Sequence, residues 1–199
     1  MLFRSGIPNL RVKFPLDADD PVARYEVPFG VVRRDLFDGQ EVPAQRWVDL
    51  SAADGAGVTL VNTSKYGFSV EETTLTMTLL RASIDPDPLP DLGEHVIRYS
   101  LVPHGPEWSE GDMVRVGEEL NIPPVVMSTD FHDGELPSLH SFISLEPLNV
   151  RLVALKQAQE GDGFILRLVE YEGTASTAEL KLASPLLGGN PTAEVVDIL

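Results

Sequence analysis

The sequence predicts an all-β fold, an antiparallel β-sandwich followed by a small C-terminal β-sandwich. Three observations carry that reading. Sixteen prolines and sixteen glycines interrupt the 199 residues at short intervals, which keeps uninterrupted elements short. Between them apolar and polar residues alternate with a period of two, the mark of half-buried strands. After a proline-rich break near residue 121, short strand-like runs return at roughly ten-residue spacing, as in small sandwiches.

Taken in order, residues 10–16 alternate, Leu10-Arg-Val-Lys-Phe-Pro-Leu, and so do residues 23–27. Residues 58–62 read as a buried strand that runs into a polar turn, Asn62-Thr-Ser-Lys-Tyr-Gly67, and returns as a strand over 68–70. Residues 74–80 set threonines on one face and Leu75, Met77 and Leu79 on the other, the pattern of a half-solvated antiparallel strand. Residues 83–93 carry three prolines and are expected as an exposed loop; alternation resumes over 95–102. Residues 112–120 are the one helical competitor, with a poor period. Residues 121–137, holding Pro123, Pro124, an acidic patch and Gly134, read as a connector between domains. Strands are expected beyond it at 141–145, 150–156, 163–171, 178–182 and 194–198. The runs 150–156 and 164–171, joined by residues 157–163, are the clearest hairpin.

Charge and composition exclude several function classes. With 31 acidic against 15 basic residues the formal charge is −16, which repels phosphate backbones and anionic lipid, so neither nucleic acid nor membrane is an expected partner. There is no cysteine, hence no disulfide and no thiolate metal site. The first fifteen residues have no apolar core of a signal peptide and nothing long enough to span a bilayer; a cytoplasmic location is the default expectation.

No reaction centre is visible. The histidines, His95, His104, His132 and His140, show no i, i+2 or i, i+4 pair of the kind that presents two ligands to one zinc. Nucleophile elbow, phosphate loop and dinucleotide fingerprint are all missing. Acidic residues are too many for one carboxylate pair to stand out. No catalytic residue and no metal ligand is therefore assigned. The turn at residues 62–67 is the best binding candidate, because Asn62, Lys65, Tyr66 and Gly67 gather an amide, a cation, an aromatic face and a bend at one spot, the parts of a sugar contact.

Several stretches resemble family 38 glycoside hydrolases, the α-mannosidases of cytosolic and bacterial type, in the same order along the chain. The turn with Asn62, Ser64 and Lys65-Tyr66-Gly67 is similar to an Asn-Asp-Ser/Cys-Lys-Tyr-Gly stretch in their β-rich C-terminal region. Residues 10–16 resemble an opening strand of that region, and Tyr25-Glu-Val-Pro-Phe-Gly-Val-Val-Arg-Arg34 resembles another family run. Asp91-Leu-Gly-Glu-His95, Pro103-His-Gly105, and residues 140–150, 154–156 and 167–170 are similar to later pieces. Thr63 departs from the pattern, standing where the family has Asp, which puts that residue's contact with substrate or partner domain in doubt.

The resemblance implies the end of a large supersandwich at residues 1–124, a linker at 125–137 and a small terminal sandwich at 138–199. It implies a zinc-dependent retaining α-mannosidase whose zinc ligands and nucleophile lie on an N-terminal catalytic domain outside these residues. The expected role is to support that domain and line the rim of the mannoside pocket through Asn62, Lys65, Tyr66 and Gly67, without catalysis by this chain alone. Expected partners are the catalytic domain and an α-mannoside glycan; a homo-oligomer is left open. The alternative from another class is a stand-alone carbohydrate-binding or protein-interaction module. Structural readings stand beside each site residue: Lys65 and Tyr66 capping a hairpin, Asn62 and Gly67 serving the turn, His104 bonding its own loop, Arg33 and Arg34 in surface salt bridges, Trp47 and Trp108 filling core.

Overall fold

The computed structural model describes residues 9–36, 40–83, 85, 91–183 and 192–196. They fall into two compact units, Met1–Pro124 and Val125–Leu199. The first contains β1 (Asn9–Pro15), β2 (Val22–Val27), β3 (Gly30–Arg34), β4 (Val42–Pro43), β5 (Trp47–Ser51), β6 (Gly57–Asn62), β7 (Gly67–Glu71), β8 (Thr74–Arg81), β9 (Tyr99–His104) and the helix α1 (Glu110–Asn121). One sheet has the order β1-β8-β7-β4 and the other β3-β2-β5-β6-β9, with antiparallel pairing throughout.

The two sheets share one core. Ala23, Tyr25, Val48, Leu50 and Leu60 from the five-stranded sheet meet Phe68, Val70, Leu75 and Met77 from the four-stranded one, so the unit is a β-sandwich whose inward faces alternate with outward ones. Burial pushes the Tyr25 phenol above its ordinary value, and the Arg34 guanidinium, 4.9 Å from the ring centroid, offsets part of that rise.

β5 is buried along its whole length, because its second face is covered as well. The Tyr25–Val48 and Val48–Leu60 pairs define the inward face, which leaves Trp47, Asp49, Ser51, Thr59 and Val61 on the outward one. α1 lies over that outward face: a Cβ added to Gly117 would stand 2.7 Å from Cδ1 of Trp47. Trp47 is core, as its structural reading had it.

α1 is the helix that residues 112–120 offered in sequence as the one helical competitor, its period too poor to carry the assignment. Its start is a capping box: Asp112 N–H donates to Ser109 Oγ at 3.2 Å and Ser109 N–H donates to the Asp112 carboxylate at 3.1 Å. Glu110 and Asp112 in the first turn complement the helix dipole. The buried face is Gly111, Met113, Val114 and Gly117; two glycines on it carry little hydropathy, so the period looked poor.

The remaining expectations for this unit hold in outline. The runs 10–16, 23–27, 58–62, 68–70 and 74–80 are strands within a residue or two, although Thr76 of the supposed solvent face is buried. The run 95–102 becomes a strand only from Tyr99. β3, β4 and β5 were not anticipated. Of the expected loop at 83–93, residues 84 and 86–90 lie outside the described residues.

The second unit contains β10 (Ile143–Glu146), β11 (Val150–Gln157), β12 (Phe164–Glu170) and β13 (Glu179–Leu182), paired as β10-β13 and β11-β12. The expected hairpin is β11–β12, closed by Ala158 N–H donating to Gly163 O at 2.8 Å across a turn in which Gly161 has φ +78°. Residues 194–196 of the last expected strand are not in a strand, and 197–198 lie outside the described residues. Glu170 organises the neighbouring loop by accepting from Glu172 N–H at 2.7 Å, Asn149 Nδ2 at 2.7 Å and Thr174 N–H at 3.1 Å. Burial raises its pKa, but these bonds and one from Gly173 N–H together hold the carboxyl below its ordinary value. No helix among the described residues is long and apolar enough to cross a membrane.

Candidate functional site

The turn at residues 62–67 is built from its buried end outward. Asn62 closes β6 and is only 1% exposed. Its Oδ1 accepts from Ser64 N–H at 2.9 Å and from Lys65 N–H at 2.5 Å, an Asx-type turn. Its Nδ2 donates to the carbonyls of Gln45 and Arg46, both at 3.3 Å. Its backbone O accepts from Asn121 Nδ2 at 3.0 Å, which ties the turn to the end of α1. The amide of Asn62 is thereby spent inside the protein.

The far end of the turn is held as well. Ala44 N–H donates to Tyr66 O at 3.0 Å. A Cβ on Gly67 would run into the Glu41 carboxylate, which itself faces Arg11 at 3.8 Å. Between these anchors Lys65 is half-buried and Tyr66 is 63% exposed. Of the four residues that sequence singled out, Asn62 and Gly67 thus shape the turn, whereas Lys65 and Tyr66 are the side chains it presents.

Under the turn lies a buried ion pair that sequence reasoning missed. Glu26, 1% exposed, accepts from Arg46 N–H at 2.7 Å and from the Arg46 guanidinium in a fork through Nε, at 2.9 Å, and Nη2. This pair fixes the segment that leads into β5, the same segment whose carbonyls hold Asn62.

A second polar network sits at the opposite end of the five-stranded sheet. Asp49 is fully buried and its Oδ1 accepts from Thr59 Oγ1 at 2.8 Å and meets His104 Nε2 at 2.8 Å. Its Oδ2 accepts from Ser51 Oγ and faces Arg24 Nη1 at 3.6 Å. Nδ1 of His104 lies 3.1 Å from Gly105 O, so the expected bond to its own loop is present, and the ring stacks on Trp108 at 5.1 Å and 11°. Arg33 pairs with Glu110 at 3.4 Å, and Arg34 donates to Pro43 O. The signals were available: a charged residue inside the apolar run Trp47-Val-Asp-Leu-Ser51, and Glu26 inside an alternating one. A recess of about 570 Å³ beside this network is lined by Asp17, Asp19, Asp54 and His104 among others.

Among the described residues no group of three or more His, Cys, Asp or Glu could hold a metal ion.

Comparison with known proteins gives these features a family. Residues 6–89 match the glycosyl hydrolases family 38 C-terminal domain, and residues 149–198 match the glycosyl hydrolases family 38 C-terminal beta sandwich domain. The chain is 33% identical over 188 residues to alpha-mannosidase 2C1 of Mus musculus, a match covering 89% of the chain and 18% of that protein. It is 31% identical over 163 residues to alpha-mannosidase G of Dictyostelium discoideum, covering 78% of the chain and 15% of that protein. The chain thus spans less than a fifth of the length of these relatives. A solved family 38 protein from Enterococcus faecalis superposes with a TM-score of 0.76 at 20% identity, over 87% of this chain and 22% of that one, which is a likeness of fold. With the sandwich, the ordered series of motifs and two consecutive family matches in agreement, the chain belongs to the family 38 glycosyl hydrolases, as part of their C-terminal β region.

Proposed function

We propose that this chain supports the catalytic domain of an α-mannosidase and lends Lys65 and Tyr66 to the rim of its mannoside pocket. The observation that carries the reading is the division of labour in the turn: Asn62 and Gly67 are locked to the scaffold, and a cation and an aromatic ring are left facing outward. An aromatic body with a hydroxyl tip beside a cation suits a polyhydroxylated ring, which has apolar faces and polar edges. Retaining hydrolysis needs a nucleophilic carboxylate and an acid/base close together; under this reading both, with the zinc, reside on the catalytic domain, and the assembly works in the cytoplasm.

The test is hydrolysis of a nitrophenyl α-mannoside by this chain alone and by the chain mixed with an N-terminal family 38 domain, with zinc or cobalt. Activity that appears only in the mixture, and whose KM rises in Lys65→Ala and Tyr66→Ala, is the expected result. Activity of the chain alone overturns the accessory role. Silence in both, with mannoside binding retained, transfers the weight to a stand-alone binding module.

A further inference from the structure

We infer that residues 125–139 are a docking strap, a run of exposed apolar side chains without helix or strand that seats on the catalytic domain of a family 38 enzyme. The inference rests on the accessory reading and gives it a surface, one separate in sequence from the turn at residues 62–67.

The strap is apolar where a connector is ordinarily polar. Its fifteen residues include six large apolar side chains, Val125, Val126, Met127, Phe131, Leu136 and Leu139. Their exposures are 88, 89, 84, 101, 52 and 91%. Single exposed apolar side chains are ordinary, but a series of them in one segment marks an interaction site. A segment that serves only as a solvated tether is built from Gly, Ser, Pro and charged residues.

The second unit does not supply the cover. Among the described residues, the hydrophobic side chains that this unit buries are Val150 and Tyr171. No backbone–backbone hydrogen bond involves residues 125–139 among the described residues. The side-chain contacts there are local: Thr129 Oγ1 donates to Asp130 O at 3.4 Å, and His132 Nδ1 lies 3.0 Å from Asp133 O. A Cβ added at Gly134 would meet nothing within 4 Å. A stretch this long with neither element nor backbone partner is uncommon inside a compact unit unless it has a function, and its open N–H and C=O groups suit main-chain recognition by a partner.

Length and charge say what covers it. The match to alpha-mannosidase 2C1 of Mus musculus takes in 89% of the chain, so the unmatched ends are too short to reach residues 125–139 from either side. The strap thus lies within the stretch shared with an enzyme of which the matched region makes up 18%, and the remainder of such an enzyme offers ample surface. Charge disfavours the rivals. The strap carries Asp130, Asp133 and Glu135 with no Lys or Arg, on a chain of formal charge −16, which repels a second copy and an anionic lipid surface alike. A saccharide calls for aromatic faces and many polar partners, whereas five of the six apolar side chains here are Val, Met or Leu. The fitting surface is a protein groove with apolar pockets and a basic rim.

The experiment pairs the 199-residue chain with an N-terminal family 38 catalytic domain and reads both the dissociation constant and amide hydrogen exchange by mass spectrometry. Exchange across residues 125–139 should be fast in the chain alone and slow about tenfold or more in the mixture. The triple variant Val126→Ser, Phe131→Ser, Leu139→Ser should bind about tenfold more weakly with an unchanged thermal midpoint, because these side chains are open to solvent in the chain alone; returning Leu at position 131 should recover part of the affinity. Unchanged binding by the triple variant, with the strap still exchanging fast in the mixture, overturns the inference and leaves the accessory reading standing. No binding by the parent chain overturns both. Protection of the strap that rises with the chain's own concentration marks self-association and overturns the inference, as does a fall in the triple variant's midpoint, since the side chains would then be serving their own fold.

Discussion

Replacing Asp49 by Ala should be the most damaging single polar change in the first unit. The carboxylate is fully buried and serves Thr59, Ser51, His104 and Arg24 together. The two hydroxyls can rotate toward other acceptors, so the cost concentrates on the His104 ring and the Arg24 guanidinium. Breaking a buried pair by removing one partner costs about 3–5 kcal/mol. Arg24 keeps Glu110 at 3.5 Å, which places the expected loss near the lower end, about 3 kcal/mol. At roughly 2–4 °C per kcal/mol for a chain of this length, the midpoint should fall by about 6–12 °C. Both tryptophans, Trp47 and Trp108, lie in this unit, so urea unfolding followed by tryptophan fluorescence reads the right transition. Asp49→Asn, which keeps one acceptor, should lose less than Asp49→Ala. Adding Arg24→Met to Asp49→Ala should recover part of the loss, because the stranded cation is removed. A loss below about 1 kcal/mol for Asp49→Ala would refute the view that this network holds β2, β5, β6 and β9 in register.

Three further outcomes are expected. Gly117→Ala pits a gain in helix propensity of about 1 kcal/mol against overpacking of Trp47, worth about 1–3 kcal/mol; a net loss in urea midpoint is predicted, and an unchanged midpoint would mean that α1 slides outward freely. Since the folded-state pKa of Glu170 is depressed, its contribution is present above the unfolded value and fades as pH falls through the folded one; the amide shifts of Glu172 and Thr174 should titrate together with a midpoint below 4.5, the ordinary value, and a midpoint at or above it would contradict the loop geometry. Tyr25, with its pKa raised chiefly by burial, should ionise above the ordinary 10.0 in an ultraviolet alkaline titration read as the difference from Tyr25→Phe, and Arg34→Ala should delay it further, a midpoint at or below 10.0 contradicting its burial; the stability it contributes is fully present below the unfolded value and is lost as pH rises from there through the raised one.

Much of the sandwich was legible because its strands keep one face wet. Residues 10–16, 23–27 and 74–80 alternate, and alternation is a local signal. β5 was not legible for the opposite reason: Trp47 to Ser51 is covered on both faces, so its pattern vanishes, and the cover is a helix whose own contact face is half glycine. At the candidate site, sequence located the turn but could not rank its residues. Asn62 offered an amide, and only the carbonyls of Gln45 and Arg46, brought in from a distant segment, show that the amide is already spent. Asp49 and Glu26 went unnoticed because, Ser51 apart, their partners lie about 10 to 55 positions away in sequence, beyond any local motif.

The pairing of β1 with β8 sets a timetable for the emerging chain. Pro15 meets Thr74 and Asn9 meets Arg81, so the partner that β1 has among the described residues follows it out of the ribosome only after about 60 more residues. At roughly 5–20 residues per second this is an interval of about 3–12 s, during which Val12 and Phe14 are available to any passing strand. β2, β3, β5 and β6 can pair with one another in that time, giving one sheet with its inner face still bare. A nascent chain of this kind is a natural client for holding chaperones, and slowing translation between β1 and β8 should lengthen its dependence on them.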